Sequence, residues 1–171
     1  MKKYHFVFDI TPKNKKFEKI LLKKYKNYLP ILSDNIIVLG GDGFMLQTLK
    51  KYQKYNKPFY GINTGSFGFL MNKFKLIDID NNIKKAKLIS ISPLQMKAIT
   101  KSGKIHSSIA INEVSLLRQS RQTSSLQIKN GRNIIIKKLI CDGVLVSTPA
   151  GSTAYNLSVH GPILSLDSKK I

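Results

Sequence analysis

A single aspartate stands among glycines at the end of an apolar segment. Gly40, Gly41, Asp42 and Gly43 follow residues 35–39, which are mostly Ile, Val and Leu. Glycine lets backbone amides approach a phosphate closely, and the start of a helix attracts anions. A carboxylate beside phosphates is repelled unless it accepts a proton, meets a metal ion or binds ligand hydroxyls. The segment predicts a phosphate cradle that includes an acid/base group, and a helix N-cap is the alternative role for the aspartate.

A second loop rich in glycine and polar residues follows the next apolar segment. Residues 61–70 contain Asn63 and Phe69 together with Thr, Ser and further Gly residues. The polar groups suit ribose or phosphate, and a phenylalanine can line a base pocket. The alternative is a turn held by Gly65 and Gly68 with its aromatic side chains in the core.

Two polar residues, Asn112 and Glu113, interrupt the otherwise apolar residues 109–117. Buried amide and carboxylate groups need hydrogen-bond partners. Ribose hydroxyls or an adenine amino group would supply them, and a salt bridge to one of the many lysines would serve equally well.

The longest unusual segment covers residues 141–162. It runs from an apolar strand at residues 144–146 into a turn rich in Gly, Ser and Thr. Ser152 and Thr153 are candidates to cap a helix that begins near Ala154. Amides and hydroxyls exposed at that turn could hold a phosphate or a ribose.

The two glycine-rich loops belong to a β-α-β-α-β series in the first half of the chain. Such a series predicts a parallel sheet with helices on its faces, and ligands bind such sheets where strands end. The predicted strands are residues 4–10, 35–39 and 58–62, and the predicted helices are residues 14–28 and 43–55. A helix at residues 78–87 is followed by β-like segments at residues 88–100, 105–117, 125–129 and 134–140. We therefore predict an α/β nucleotide-binding domain over residues 1–90 and a β-rich domain over residues 91–171.

Composition narrows the class of partner. The 29 Lys plus Arg against 9 Asp plus Glu give a formal charge of +20, which favours anionic ligands. Only three of these basic residues are arginines and the lysines are scattered, whereas nucleic-acid readers combine clustered Arg with stacking aromatics, so no nucleic-acid partner is predicted. The lone Cys141 indicates a reducing compartment. With no signal peptide and no membrane segment visible, we expect a cytoplasmic location.

Together the four segments resemble the signature of the NAD kinase family. In this chain they are GGDG, NTGSFGFL, NE and DGVLVSTPAGSTAYNLS, with HGP following the last. GGDG alone also occurs in lipid kinases and phosphofructokinases, which do not carry the other three segments in this order. The resemblance extends over residues 6–166.

The resemblance implies a kinase that transfers the γ-phosphoryl group of ATP to the adenosine 2′-hydroxyl of NAD. Asp42 would be the general base, Mg²⁺ would accompany ATP, and the enzyme would be a homodimer or homotetramer. The family fold is a Rossmann-like α/β domain followed by a β-sandwich-like domain. No metal ligands from the protein are predicted. The residues implied to contact the nucleotides are Gly40, Gly41, Asp42, Gly43, Asn63, Phe69, Asn112, Glu113, Asp142, Ala150, Thr153, Ala154, Tyr155, Asn156, Leu157 and Ser158.

The chain departs from the family pattern at three positions. Phe44 and Ala150 stand where the family more often has Thr, and His160 stands where Gly is frequent. Family members also continue beyond the length of this chain, so we expect a C-terminally incomplete second domain. The competing functions are a non-catalytic NAD-binding fragment, a lipid or sugar kinase of the GGDG type and, as the third, a basic nucleic-acid binder.

Overall fold

A computed structural model describes residues 2–66, 68–75 and 78–170 of the chain. The chain divides into two compact units, Met1–Leu88 and Ile89–Ile171, called unit 1 and unit 2 below. None of the helices in the described ranges is long and apolar enough to cross a membrane.

Unit 1 is built on a three-stranded parallel sheet with the strand order β1-β2-β3. The apolar segment that precedes GGDG is the central strand, and every one of its residues is buried. The predicted α/β fold with a parallel sheet is confirmed. The strands are β1 (Tyr4–Phe8), β2 (Asn35–Gly40) and β3 (Phe59–Asn63), and the helices are α1 (Pro12–Lys24), α2 (Asp42–Tyr52) and α3 (Ile79–Lys85).

The first helix is shorter than its lysine-rich sequence predicts. It begins where the Thr11 side chain accepts a hydrogen bond from the Asn14 backbone N–H, with Pro12 in the first turn. It ends at Lys24 instead of residue 28, because Tyr25 turns to an extended conformation and packs its ring against Tyr4. Burial of that ring in the core outweighs continuation of the helix.

Helices α1 and α2 lie on opposite faces of the sheet. Leu21 of α1 packs with Ile37 and Leu39 of β2, whereas Met45 of α2 packs with Ile36 and Val38 of the same strand. Both connections advance in the same direction across the sheet, so helices on opposite faces give the two crossovers opposite hands. One of them therefore departs from the right-handed rule for parallel strands.

Unit 2 is β-rich, as predicted, and consists of antiparallel pairs. The predicted single segment at residues 105–117 is wrong, because it breaks at residues 111 and 112 and its two parts join different partners. The pairs are β4 (Leu94–Ile99) with β5 (Ile105–Ala110), β6 (Glu113–Leu117) with β9 (Gly143–Ser147), and β7 (Ser124–Asn130) with β8 (Asn133–Cys141). One short helix, α4 (Tyr155–Ser158), follows β9.

Candidate functional site

The carboxylate of Asp42 is held by the backbone of the second glycine loop. Its Oδ2 accepts a hydrogen bond from the Phe69 N–H at 2.7 Å, and its Oδ1 accepts one from the Leu70 N–H at 3.1 Å. Asp42 is the first residue of α2, and the N-cap is Gly41, which makes no side-chain cap. The alternative role of Asp42 as a helix N-cap is therefore wrong. Its side chain instead joins the start of α2 to the loop that follows β3.

The glycines around Asp42 differ in how much space surrounds them. A Cβ on Gly40 would lie 2.7 Å from Cδ1 of Phe44, so a side chain at this position would force that ring to move. A Cβ on Gly41 or Gly43 would meet no described atom within 4 Å. Gly41 precedes α2 and Gly43 lies in its first turn, and at both positions the backbone is bare and faces open space, which leaves room for a ligand.

The second loop begins at the end of β3, beside the end of β2. Asn63 pairs with Gly40 across the two strands, and the next residue, Thr64, donates its N–H to the Gly40 carbonyl at 2.9 Å. The Asn63 Oδ1 accepts a hydrogen bond from Gly65 N–H at 2.8 Å, which is an Asx turn. The two glycine loops predicted at strand ends are thus neighbours. Phe67, the other phenylalanine of the loop, lies outside the described residues.

Gly68 lies between the two polar side chains of this edge. A Cβ there would stand 3.0 Å from Asn63 Nδ2 and 3.2 Å from Asp42 Oδ1. Phe69, the predicted base-pocket residue, is half-buried and contributes its N–H to Asp42. Asp42, Asn63 and Phe69 are therefore brought together at the carboxyl edge of the parallel sheet.

In unit 2, Asn112 and Glu113 present buried oxygens that lack partners. Asn112 lies in the bend between β5 and β6, and Glu113 opens β6 opposite Ser147. The Asn112 Oδ1 and the Glu113 Oε2 are buried without a hydrogen-bond partner among the described atoms. No lysine of the described ranges satisfies that carboxylate oxygen. Burial raises the pKa of Glu113 above its ordinary value. The two groups can accept hydrogen bonds from a ligand.

The turn after β9 is held by buried hydroxyl groups. Thr148 is fully buried, and its Oγ1 donates to the Ile111 carbonyl at 2.5 Å and accepts from the Gly151 N–H at 3.1 Å. The Thr148 N–H donates to the Asn112 carbonyl at 2.8 Å. This network ties the turn to the bend that carries Asn112 and Glu113. Ala150, a predicted contact residue, is buried in the same turn.

The expected capping of the next helix by Ser152 or Thr153 is wrong. The N-cap of α4 is Ala154, without a side-chain hydrogen bond. Ser152 is buried, where its Oγ donates to the Pro149 carbonyl at 2.7 Å and accepts from the Leu164 N–H at 3.0 Å. Because this hydroxyl binds the returning chain, it is not available to the helix.

The HGP segment ends α4 in a Schellman motif. The His160 N–H donates to the Leu157 carbonyl at 3.1 Å, and the Gly161 N–H donates to the Asn156 carbonyl at 2.8 Å. His160 has φ 62°, in the left-handed region that favours glycine. This geometry gives a physical reason for a glycine at that position in related sequences.

The predicted contact residues of α4 and its flanks differ in exposure. Asn156 donates its Nδ2 to the carbonyls of Ser152 at 3.2 Å and Pro162 at 2.9 Å, so this amide group braces the turn. Tyr155, Leu157 and Ser158 are exposed, and Thr153 and Ala154 are half-buried.

Asp142 has a partner that sequence patterns did not indicate. Its Oδ1 accepts from Nε of Arg118 at 2.5 Å, and its backbone carbonyl accepts from the Arg118 N–H at 2.8 Å. The arginine follows β6 and the aspartate precedes β9, so the pairing of these strands brings them together. Only knowledge of that non-sequential pairing could have identified Arg118.

The described residues contain no group of three or more His, Cys, Asp and Glu side chains that could hold a metal ion. Both oxygens of the Asp42 carboxylate already accept an amide hydrogen bond. A divalent ion at this edge would need most of its ligands from water and from a bound phosphate.

Family models match both units. The ATP-NAD kinase N-terminal domain matches residues 2–88, and the ATP-NAD kinase C-terminal domain matches residues 111–171.

Curated relatives and a solved structure agree with these matches. The chain is 44% identical over 164 residues to an NAD kinase of Brucella suis, covering 96% of this chain and 64% of the relative. It is 48% identical over 160 residues to an NAD kinase of Zymomonas mobilis, covering 92% and 62%. The crystal structure of yeast NADH kinase complexed with NADH superposes with a TM-score of 0.70 at 19% identity, over 98% of this chain and 63% of that one. The chain thus spans less than two thirds of the length of each of these three proteins.

Proposed function

This chain belongs to the ATP-NAD kinase family, and we propose that it takes part in transferring the γ-phosphoryl group of ATP to the adenosine 2′-hydroxyl of NAD. The observation that carries the proposal is the position of Asp42. Its carboxylate is fixed by two backbone amides beside the bare glycine backbone at Gly41 and Gly43. A fixed proton acceptor beside an open, amide-rich loop is the arrangement that phosphoryl transfer to a hydroxyl requires.

In the proposed reaction, Asp42 accepts the proton of the 2′-hydroxyl. That oxygen forms a bond to the γ-phosphorus while the bond from the γ-phosphorus to the β,γ-bridging oxygen breaks, which yields NADP and ADP. The two amide hydrogen bonds orient the carboxylate before the substrate arrives, so no reorganisation is needed during the reaction. Each carboxylate oxygen keeps a further lone pair for the proton.

We propose that the polar groups of both units contact the nucleotides. In unit 2, the unpartnered Asn112 Oδ1 and Glu113 Oε2 support this role, because ribose hydroxyls or an adenine amino group would satisfy them. Asp142 would act through its second oxygen while Arg118 holds the first. The remaining proposed contacts are Gly40, Gly41, Gly43, Asn63, Phe69, Ala150, Thr153, Ala154, Tyr155, Asn156, Leu157 and Ser158.

Three further features belong to the proposal. Magnesium would enter with ATP, held mainly by phosphate oxygens and water, and its chemistry is to neutralise the charge of the moving phosphoryl group. A homodimer or homotetramer is proposed from the family resemblance. A cytoplasmic location is supported by Cys141, the single cysteine of the sequence, which is free.

The test is formation of NADP from NAD and Mg-ATP by the purified chain, measured by a coupled dehydrogenase assay. We expect Asp42→Asn to lower turnover by roughly a hundredfold to ten-thousandfold, the range that a general base contributes. Asp34→Asn is the matched control, because Asp34 also accepts a backbone N–H in unit 1, from Lys3 at 2.8 Å.

Three outcomes contradict all or part of the proposal. Equal loss in both variants would show that Asp42 has no special part in the chemistry. Binding of NAD without turnover would favour a non-catalytic NAD-binding protein, and phosphorylation of a lipid or sugar instead of NAD would replace the substrate.

A further inference from the structure

The ammonium group of Lys13 lies at the same edge of the sheet as the glycine loops. Lys13 is in the first turn of α1, after β1, yet its Nζ donates a hydrogen bond to the Thr64 carbonyl at 2.8 Å, at the end of β3. Strand β2, with Gly40 at its end, lies between β1 and β3 in the sheet. The Lys13 side chain therefore passes the end of the glycine-bearing strand.

The first turn of α1 is fixed to that strand end. The buried side chain of Asn14 donates from Nδ2 to the carbonyls of Asp9 at 3.2 Å and Leu39 at 3.4 Å. The Asp9 N–H also donates to the Leu39 carbonyl, at 2.9 Å. Because Leu39 directly precedes Gly40, these contacts determine where Lys13 leaves the helix. The start of the helix is therefore fixed, and the exposed Lys13 side chain extends from it to the Thr64 carbonyl.

The positive charge of Lys13 favours the binding of phosphate groups at this edge of the sheet. A nucleoside triphosphate that approached the glycine loop would meet the carboxylate of Asp42, which repels phosphate oxygens. An ammonium group at the same edge offsets that repulsion and can donate up to three hydrogen bonds. Its present acceptor, the Thr64 carbonyl, is neutral, and a phosphate oxygen is a stronger acceptor for a charged donor.

We propose that Lys13 binds the phosphates of the nucleoside triphosphate donor, exchanging the Thr64 carbonyl for a phosphate oxygen. This inference rests on the proposed function and adds to it a residue outside the four sequence segments. It assigns Lys13 to the donor and not to the dinucleotide acceptor.

The test compares Lys13→Gln, Lys13→Arg and Lys19→Gln in calorimetric titrations of the chain with Mg-ATP and, separately, with NAD. Lys19 is the matched control, because it is an exposed lysine on the same helix roughly 9 Å further along its axis. We expect Lys13→Gln to weaken Mg-ATP binding by roughly tenfold to a hundredfold, as loss of one charged hydrogen bond would. NAD binding should stay unchanged, Lys13→Arg should restore most of the Mg-ATP affinity, and Lys19→Gln should bind as the unsubstituted chain does.

The outcomes separate this inference from the proposed function. Equal weakening in Lys13→Gln and Lys19→Gln would overturn it, because the effect would then come from overall charge. An Mg-ATP affinity unaltered by Lys13→Gln would overturn it while leaving the kinase proposal intact, provided that NADP still forms. If the unsubstituted chain neither binds these nucleotides nor forms NADP, the proposed function fails and this inference fails with it.

Discussion

Units 1 and 2 differ in the interactions that hold their candidate site residues in place. In unit 1 the loop with Asp42 leaves β2, a strand whose every residue is buried between two apolar clusters. In unit 2 the first six residues of β8 are all exposed. The buried side chains of unit 2 include hydroxyl groups at the end of β9 and in the turn that follows it, namely those of Ser147, Thr148 and Ser152.

This difference shows two ways of fixing a ligand-binding loop. Apolar packing in unit 1 holds a strand, and the loop takes its place from the end of that strand. Hydrogen bonds between hydroxyls and carbonyls in unit 2 hold the turn directly, because a buried polar group without a partner is costly. Apolar truncation should therefore be most damaging in unit 1, and loss of single hydroxyls should matter in unit 2.

The largest effect on stability is expected for Ile37→Ala in β2. Ile37 is fully buried, so its truncation should lower the free energy of unfolding by about 2–5 kcal/mol. Ile135→Ala in β8 is the matched control, because Ile135 is 62% exposed and should cost less than about 0.5 kcal/mol. Urea unfolding monitored by tyrosine fluorescence reports mainly unit 1, since Tyr155 alone of the seven tyrosines lies in unit 2. Circular dichroism monitors both units.

A large loss of stability in Ile135→Ala would contradict this difference between the two units. It would show that the face of β8 bearing Ile135 is buried in solution, so that unit 2 also depends on apolar packing.

A smaller effect is expected for Thr148→Val. The substitution keeps the shape of the side chain but removes the hydrogen bond to the Ile111 carbonyl and one of the two acceptors of the Gly151 N–H, which also donates to the Thr148 carbonyl. We expect the free energy of unfolding of unit 2 to fall by about 1–3 kcal/mol. Hydrogen exchange of the peptides that contain residues 111–113 and 147–152 measures the loosening. Thr123→Val, at an exposed position, is the control, and equal exchange in both variants would argue that hydroxyls do not hold this turn.

The same difference explains how much the sequence could predict. The β-α-β-α-β series and the two glycine loops follow from local patterns, and the structure places both loops at adjacent strand ends. A buried parallel strand has a continuous apolar sequence, so β2 can be predicted from the sequence alone. Local patterns carry no information on crossover hand, which depends on the face that each helix covers.

Unit 2 was harder to predict because its site depends on pairing between distant segments. The bend at Asn112 interrupts an apolar sequence that looked like one strand, and the pairing of β6 with β9 creates the contact of Arg118 with Asp142. Whether the hydroxyl of Ser152 caps a helix or binds the returning chain depends on where Leu164 lies. No spacing within the sequence contains that information.

The smallest expected effect concerns the pH dependence that Glu113 gives to unit 2. Burial raises the pKa of this carboxyl in the folded chain, so folding favours its protonated form. The stability it contributes is complete below its unfolded pKa of about 4.5 and is lost as the pH rises through the higher folded pKa. Glu113→Gln has no such proton to lose. The unfolding free energy of the variant relative to the unsubstituted chain should therefore increase between pH 4 and 7, as measured by urea unfolding at several pH values.

Glu18→Gln is the control for this pH series, because it changes the only other glutamate of the chain, on α1 in unit 1. The same experiment with saturating NAD distinguishes a ligand-binding carboxylate from a merely buried one. If the Glu113 Oε2 accepts hydrogen bonds from NAD, the ligand stabilises the ionised form, and NAD should raise the stability of the unsubstituted chain more than that of Glu113→Gln. Identical pH profiles for Glu113→Gln and the unsubstituted chain would mean that this carboxyl is solvated after all. Its buried oxygen would then no longer support a ligand contact in unit 2, and the proposed site would rest on Asp42 and the glycine loops of unit 1.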